Sequence, residues 1–259
     1  MLTEKDIHIF LKNAGIKSHD TVLIHTSMRS IGGVENGCDG IIDGFKSYLS
    51  NGLFIVPTHT WANVNKEKPV FNVNITMPCI GALPCVAAFR SDGVRSLHPT
   101  HSVAAFGKDA DEFVKGEEKS TTPCPPNGVW ARLLDKKAKI LLIGVGLNRN
   151  TFIHAIDELL ELPDRFSKEI ELTVIDKNQT KTKTLFHHHS KNTGSENFGN
   201  FKSALEYHGA LKYQKLGNAE VGIFDTVIGT KVIKALWQKA DYHLCKEPKE
   251  IPKEYYANI

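Results

Sequence analysis

An apolar run that ends in glycines, Lys139-Ile140-Leu141-Leu142-Ile143-Gly144-Val145-Gly146, leads into an amphipathic segment, Asn150-Thr151-Phe152-Ile153-His154-Ala155-Ile156-Asp157-Glu158-Leu159. A buried strand that hands its chain to a helix is the repeating unit of an α/β sheet, and it delivers reactive groups to the sheet's carboxyl edge. His154 stands near the helix start. Helical spacing of three or four puts it beside Asp157 or Glu158 on one face. Glu161 shares that face, while Phe152, Ile156 and Leu159 form a packing stripe. A lone histidine near a helix start is more often structural than catalytic. Here the neighbouring carboxylates argue for a general base, because an imidazole held by a carboxylate removes protons near neutral pH.

The rest of the chain is punctuated in a compatible way. Thr3 predicts an N-cap for a helix over 4–14, and 21–25 reads as a buried strand. A helix over 39–50 ends at Gly52, and a strand over 53–56 is stopped by Pro57. Residues 58–80 read as a long loop, of the kind that is often functional. A short helix near 82–90, a strand over 101–106, a Pro-rich loop over 116–128 and a helix over 129–136 follow. The helix that carries His154 runs over 150–162. After Pro163 the pattern changes: 169–176 and 182–188 read as a hairpin, 198–209 as a helix, and 213–224 as a hairpin turning at Gly217-Asn218. Thr226 predicts the cap of a last helix through about Asp241. The expectation is one α/β domain over 1–259, with a catalytic portion over 1–163 and an antiparallel, acceptor-side portion over 164–259. No internal repeat is evident.

Composition excludes several classes of function. The 259 residues are long enough for a sizeable core, and 41% hydrophobic with 24% charged residues is ordinary for a soluble protein. No apolar run approaches the roughly 20 residues of a membrane span. The polar start, Met1 to Asp6, does not resemble a secretory signal. Five scattered cysteines without a C-x-x-C pair point to reduced thiols in a cytoplasmic protein rather than to disulfides or a zinc site. A formal charge of +3, with no Lys/Arg cluster interleaved with aromatics, does not indicate nucleic acid. His187-His188-His189 is not expected to hold a metal, because consecutive strand residues point to opposite faces.

Three further segments carry chemistry. His25-Thr26-Ser27-Met28-Arg29-Ser30-Ile31-Gly32-Gly33 follows a strand and offers hydroxyls and backbone amides. An ordinary capping turn explains it equally well. Arg95-Ser96-Leu97-His98-Pro99-Thr100-His101-Ser102-Val103 packs two histidines, an arginine and three hydroxyls into nine residues. In it Arg95 could grip a phosphate through two nitrogens. Gly144-Val145-Gly146 lacks the third glycine of a dinucleotide fingerprint.

Taken together, these segments resemble the aminoglycoside 3-N-acetyltransferase family. The resemblance rests on His25, Ser27, Ser30 and Gly32 after the first strand, and on Pro57-Thr58 after the next. It also rests on the Arg95–Ser102 segment, and on Gly144-Val145 followed by Asn148 or Asn150, Thr151, His154 and Asp157. It covers about residues 20–163, with 217–225 also family-like. It implies a three-layer α/β/α fold with a central mixed sheet, and transfer of acetyl from acetyl-CoA to a primary amine. His154 is then the base, with Asp157 standing where the family has Glu, and Glu158 is the rival partner. The resemblance places His25, Thr26, Ser27, Arg29, Ser30, Ile31, Gly32, Thr58, Arg95, His98, Ser102 and Val103 along CoA, and it calls for no metal.

Charge bears on the acceptor. A polycationic aminoglycoside needs carboxylates, whereas this net-basic chain has Lys and His in its last third. The expectation is therefore a nucleotide-activated amino sugar of surface glycan synthesis, ahead of an aminoglycoside antibiotic, with His187 and His189 facing it. No nucleic-acid or membrane partner is expected, and a homodimer is left open. Two other classes stand as rivals: a metal-dependent hydrolase using the 12 histidines, and a binder with a vestigial site.

Overall fold

The computed structural model describes residues 1–190, 194–239 and 245–259. Among these residues ten strands are formed: β1 (Thr21–Thr26), β2 (Leu53–Pro57), β3 (Val70–Asn72), β4 (Val94–Arg95), β5 (Val103–Gly107), β6 (Lys139–Ile143), β7 (Ile170–Ile175), β8 (Lys181–Phe186), β9 (Leu211–Leu216) and β10 (Ala219–Asp225). The α-helices are α1 (Glu4–Asn13), α2 (Met28–Ile31), α3 (Gly37–Tyr48), α4 (Ala82–Ala88), α5 (Ala110–Val114), α6 (Val129–Asp135), α7 (Phe152–Leu159), α8 (Lys202–Tyr207) and α9 (Thr226–Lys239). The expected end of the last helix, near 241, lies outside the described residues. No helix among them is long and apolar enough to cross a membrane.

Seven strands make the central sheet, in the order β4-β5-β2-β1-β6-β10-β9. β1 runs parallel to both β2 and β6, while the strands on either side of this trio are antiparallel, so the sheet is mixed. Alternate side chains of each strand go to opposite faces. Val22, Ile24, Leu141 and Ile143 pack with Ile7, Phe10, Ile42 and Phe45 of α1 and α3. Leu23, Ile140 and Leu142 pack with Trp130, Ile153, Ile156 and Ile233 of α6, α7 and α9. Both faces are thus covered by helices, which gives the three layers. Helix α1 begins as its sequence predicts, with Thr3 and Asp6 forming a reciprocal capping box.

The structure adds to the sequence expectation in the long loop and in the placing of the second hairpin. The loop over 58–80 contains β3, which pairs in parallel with β7 and so joins the β7–β8 hairpin in a three-stranded sheet. Three residues are too short to show a period. Their strand forms because Phe71 is buried against Leu172, Val174 and Phe186. The second hairpin, β9–β10, adds to the central sheet beside β6. Residues after 163 therefore complete the same sheet that the first portion begins.

One buried carboxyl gives the fold a pH dependence. Glu117 is 1% exposed, and its Oε1 accepts the Val129 N–H at the start of α6. Burial pushes its pKa up to about 7. The folded state thus holds this proton more tightly than the unfolded chain, so its contribution is full below the ordinary carboxylate range and is lost as pH rises through 7. Glu117→Gln keeps the acceptor and removes the charge. It is expected to match wild type at pH 5 and to be more stable by about 2 kcal/mol at pH 8, read by denaturant titration at the two pH values.

Candidate active site

Parallel neighbours end at the same edge of a sheet, so the turns after β1 and β6 meet. Ser27 caps α2 by accepting the Ser30 N–H at 3.3 Å, and the Ser30 hydroxyl lies 2.8 Å from Ser27 Oγ and 3.3 Å from the Gly144 carbonyl. Gly144 is left-handed, with φ +64°, and a Cβ there would meet the Ser30 Cβ at 2.3 Å. Two of the sequence segments are thereby locked together. After β6 the chain makes one tight turn at Leu147–Arg149 and enters α7.

Helix α7 is buried from Phe152 through Glu158. The polar face expected from the sequence, with His154, Asp157 and Glu158, points into the protein. A cavity of about 710 Å³ opens at the sheet edge, lined by the ends of β1 and β2, the loop after β2, the turn before α7, and the segments after β8. His154 is on its wall. His154 Nδ1 lies 3.8 Å from Asp157 Oδ2, beyond a normal hydrogen bond. Arg165 Nη1 lies 3.7 Å from the same oxygen and stacks over the Trp237 ring. Burial pushes the Asp157 carboxyl up to about 7, with Arg165 acting against the rise. Burial, aided by Arg165, lowers His154 to about 3, so the imidazole is neutral and able to accept a proton. Glu158 is turned elsewhere. Its oxygens accept from Thr122 Oγ1 at 2.6 Å and the Cys124 N–H at 2.8 Å, and lie 3.3 Å from His189 Nε2.

Of the residues expected along CoA, His25, Thr26 and Ser27 line this cavity. His25 Nε2 and Thr26 Oγ1 are buried and have no hydrogen-bond partner among the described residues. Ser30, Ile31 and Gly32 do not line the cavity, and Arg29 is exposed. The second segment reaches the cavity only through His101, because its other polar groups are engaged inside the protein. Arg95 is 4% exposed, donates to the Thr76 carbonyl at 2.7 Å and the Thr58 carbonyl at 3.3 Å, and stacks on Phe71 and Phe89. It is therefore not presented to a phosphate. Thr58 and Ser102 share a hydroxyl contact at 2.8 Å, Val103 is core, and His98 Nδ1 accepts the His101 N–H at 2.9 Å.

Further histidines fill the gap: His59 and His188 were not assigned from the sequence, His101 belongs to the second segment, and His189 was expected to face the acceptor. His59, His101, His188 and His189 join His25 and His154 on the cavity wall. His188 and His189 lie there because β8 ends at Phe186. The expectation that His187 and His189 share one strand face is corrected: His187 turns away to the Ser167 carbonyl at 2.9 Å. The Cys124 sulfur, a Glu158 oxygen and a His189 ring nitrogen lie within 4.8 Å of one another, a set that could hold a metal ion. As it stands, hydrogen bonds already engage the Glu158 oxygens.

The family model of aminoglycoside 3-N-acetyltransferases matches residues 23–237. The chain belongs to that family. It is 26% identical over 154 residues to an aminoglycoside N(3)-acetyltransferase IV of Salmonella, covering 59% of this chain and 58% of that protein. It is 28% identical over 181 residues to the SPbeta prophage-derived aminoglycoside N(3')-acetyltransferase-like protein YokD of Bacillus subtilis, covering 59% and 63%. The chain thus spans under two thirds of the length of these curated relatives. Among solved structures, aminoglycoside acetyltransferase AAC(3)-IVa as apoenzyme superposes with a TM-score of 0.77 at 21% identity over 96% of this chain and 92% of that one. AAC-IIIb in a binary complex with CoASH gives 0.79 at 17% identity over 91% and 96%. At these identities the likeness is one of fold.

The Ser30–Gly144 contact is open to test. Gly144→Ala forces a left-handed residue and a collision with Ser30, and is expected to destabilise the protein by about 2 kcal/mol, read from chemical denaturation. An unchanged midpoint would show that the two turns are not held as described.

Proposed function

We propose that this protein is an acetyl-CoA-dependent N-acetyltransferase that acetylates a primary amine of an amino sugar, with an aminoglycoside as the acceptor. The observation that carries the reading is a neutral, cavity-lining imidazole, His154, with the buried carboxyl of Asp157 beside its Nδ1. Membership of the family supports the reaction class, and the names of the relatives favour the aminoglycoside over the nucleotide-activated amino sugar.

The chemistry follows from the groups present. An amine attacks only with a free lone pair, and near neutral pH it is mostly ammonium. His154 takes a proton from it. Asp157, 3.8 Å from Nδ1, offsets the charge that the imidazole acquires and orients the ring as the two close to hydrogen-bond distance. The wall fits a CoA donor, because His25 Nε2 and Thr26 Oγ1 are unsatisfied polar atoms there, beside Ser27 and the cation of Arg149. When bound, acetyl-CoA supplies an activated acetyl thioester. Ser30, Ile31, Gly32, Thr58, Arg95, His98, Ser102 and Val103 act by holding this wall in shape, while Arg29 is exposed outside it.

One observation favours the second acceptor reading. Among the described residues the cavity wall presents six imidazoles and Arg149 but no carboxylate. A polycation finds no countercharge there, whereas the diphosphate of a nucleotide-linked amino sugar does. Thiol release from acetyl-CoA, measured with kanamycin, gentamicin and a set of nucleotide-linked amino sugars, separates the two. Turnover of the antibiotics supports the main reading, and turnover confined to the sugar nucleotides replaces it with the second.

His154→Ala is expected to lower kcat by about 100- to 10,000-fold. Retention of activity within a few-fold would reject His154 as the base. Asp157→Asn is expected to cost more than tenfold at every pH, because Glu158 is committed elsewhere and cannot replace it. A rate near wild type would remove Asp157 from the mechanism.

A further inference from the structure

We infer that His189, held by Glu158, is a second proton acceptor that works beside His154; the inference rests on the acyl-transfer reading above. An ammonium must lose two protons to become an amide nitrogen. The first must leave before attack, to free the lone pair. The second leaves as the C–N bond forms. One imidazole has one lone pair and cannot hold both.

The geometry supplies two. The rings of His154 and His189 lie 4.0 Å apart between centroids, and both line the cavity. Each has its own carboxylate on α7. Consecutive helical residues diverge by about 100°, so Asp157 faces His154 while Glu158 faces His189, at 3.3 Å from its Nε2. Glu158 is fixed by Thr122 and the Cys124 N–H, and a fixed carboxylate selects the Nε2–H tautomer. Nδ1 of His189 then carries the lone pair.

The groups that act on His189 are His154, His101, His59, Glu158, Cys124 and Arg165. Burial and the neighbouring His154 keep His189 unprotonated. Two imidazolium rings this close repel strongly, so His154 passes its proton on in the step that receives it. His189 takes the first proton from the ammonium, holds it against Glu158 through the attack and gives it to solvent when the products leave. His154 takes the second and returns it to the departing thiol sulfur. The sum is ammonium plus thioester giving amide, thiol and one proton.

The test is kcat/KM against pH from 6 to 10, with the panel member that turns over, for wild type, His189→Gln and Glu158→Gln. Both variants are expected to lose roughly 30-fold at pH 6.5 and to recover to within about threefold at pH 10, where solution supplies free amine. A purely structural role gives the same loss at every pH, and that result, or an unchanged rate, overturns the proposal. If a variant fails to fold, wild type alone decides. Its kcat/KM stays level below the amine's own pKa if the site deprotonates ammonium. It falls tenfold per pH unit if only free amine reacts, which also overturns the proposal. Absence of thiol release from every acceptor removes the transferase reading itself, and this inference with it.

Discussion

The site depends on the parallel adjacency of β1 and β6. Their register, Val22 opposite Lys139 through Thr26 opposite Ile143, brings two chain ends to one edge of the sheet. The Ser30 hydroxyl meets the Gly144 carbonyl there, and a side chain at residue 144 would break the approach. From this junction the first turn supplies His25, Thr26 and Ser27, and the second supplies α7 with His154. A one-residue change in register would reverse which side chains face each helical layer, so the buried alternation of β1 and β6 also fixes where the cavity forms.

Burial sets the electrostatics of that cavity. Six imidazoles share it, and taking each out of water disfavours its charged form. His25, His154 and His189 are each lowered to about 3, and His59 and His101 are well below their ordinary range. The result is a wall of lone pairs rather than of cations. Asp157 and Glu158 lie just behind it, each next to one ring, where a proton taken up by that ring is stabilised. A site meant to bind polycations through charge has the opposite arrangement, with carboxylates at the surface of the cavity.

Much of this was legible in the sequence. The strand over 139–145, the helix carrying His154, the Thr3 cap and both hairpins follow from periodicity and turn residues, and the four motifs led to the family that matches 23–237. What sequence hid was whether a polar side chain faces the cavity or the core. Arg95 and His98 look like ligand-binding groups in a list of residues, but long-range contacts with Thr76, Thr58 and Thr122 engage them. His189 was expected to face the acceptor, but from a strand face shared with His187. It reaches the cavity because β8 stops at Phe186 and the chain bends inward, which no local pattern encodes. β3 escaped notice because its partner, β7, lies about a hundred residues away in the chain.

The most direct test is a crystal structure of the protein with CoA and an acceptor amine both bound. The account predicts the amine nitrogen within hydrogen-bond reach of His154 Nε2, about 3 Å, with the thiol in the same cavity beside Ser27. An acceptor amine seated elsewhere, with His154 touching neither molecule, would contradict it.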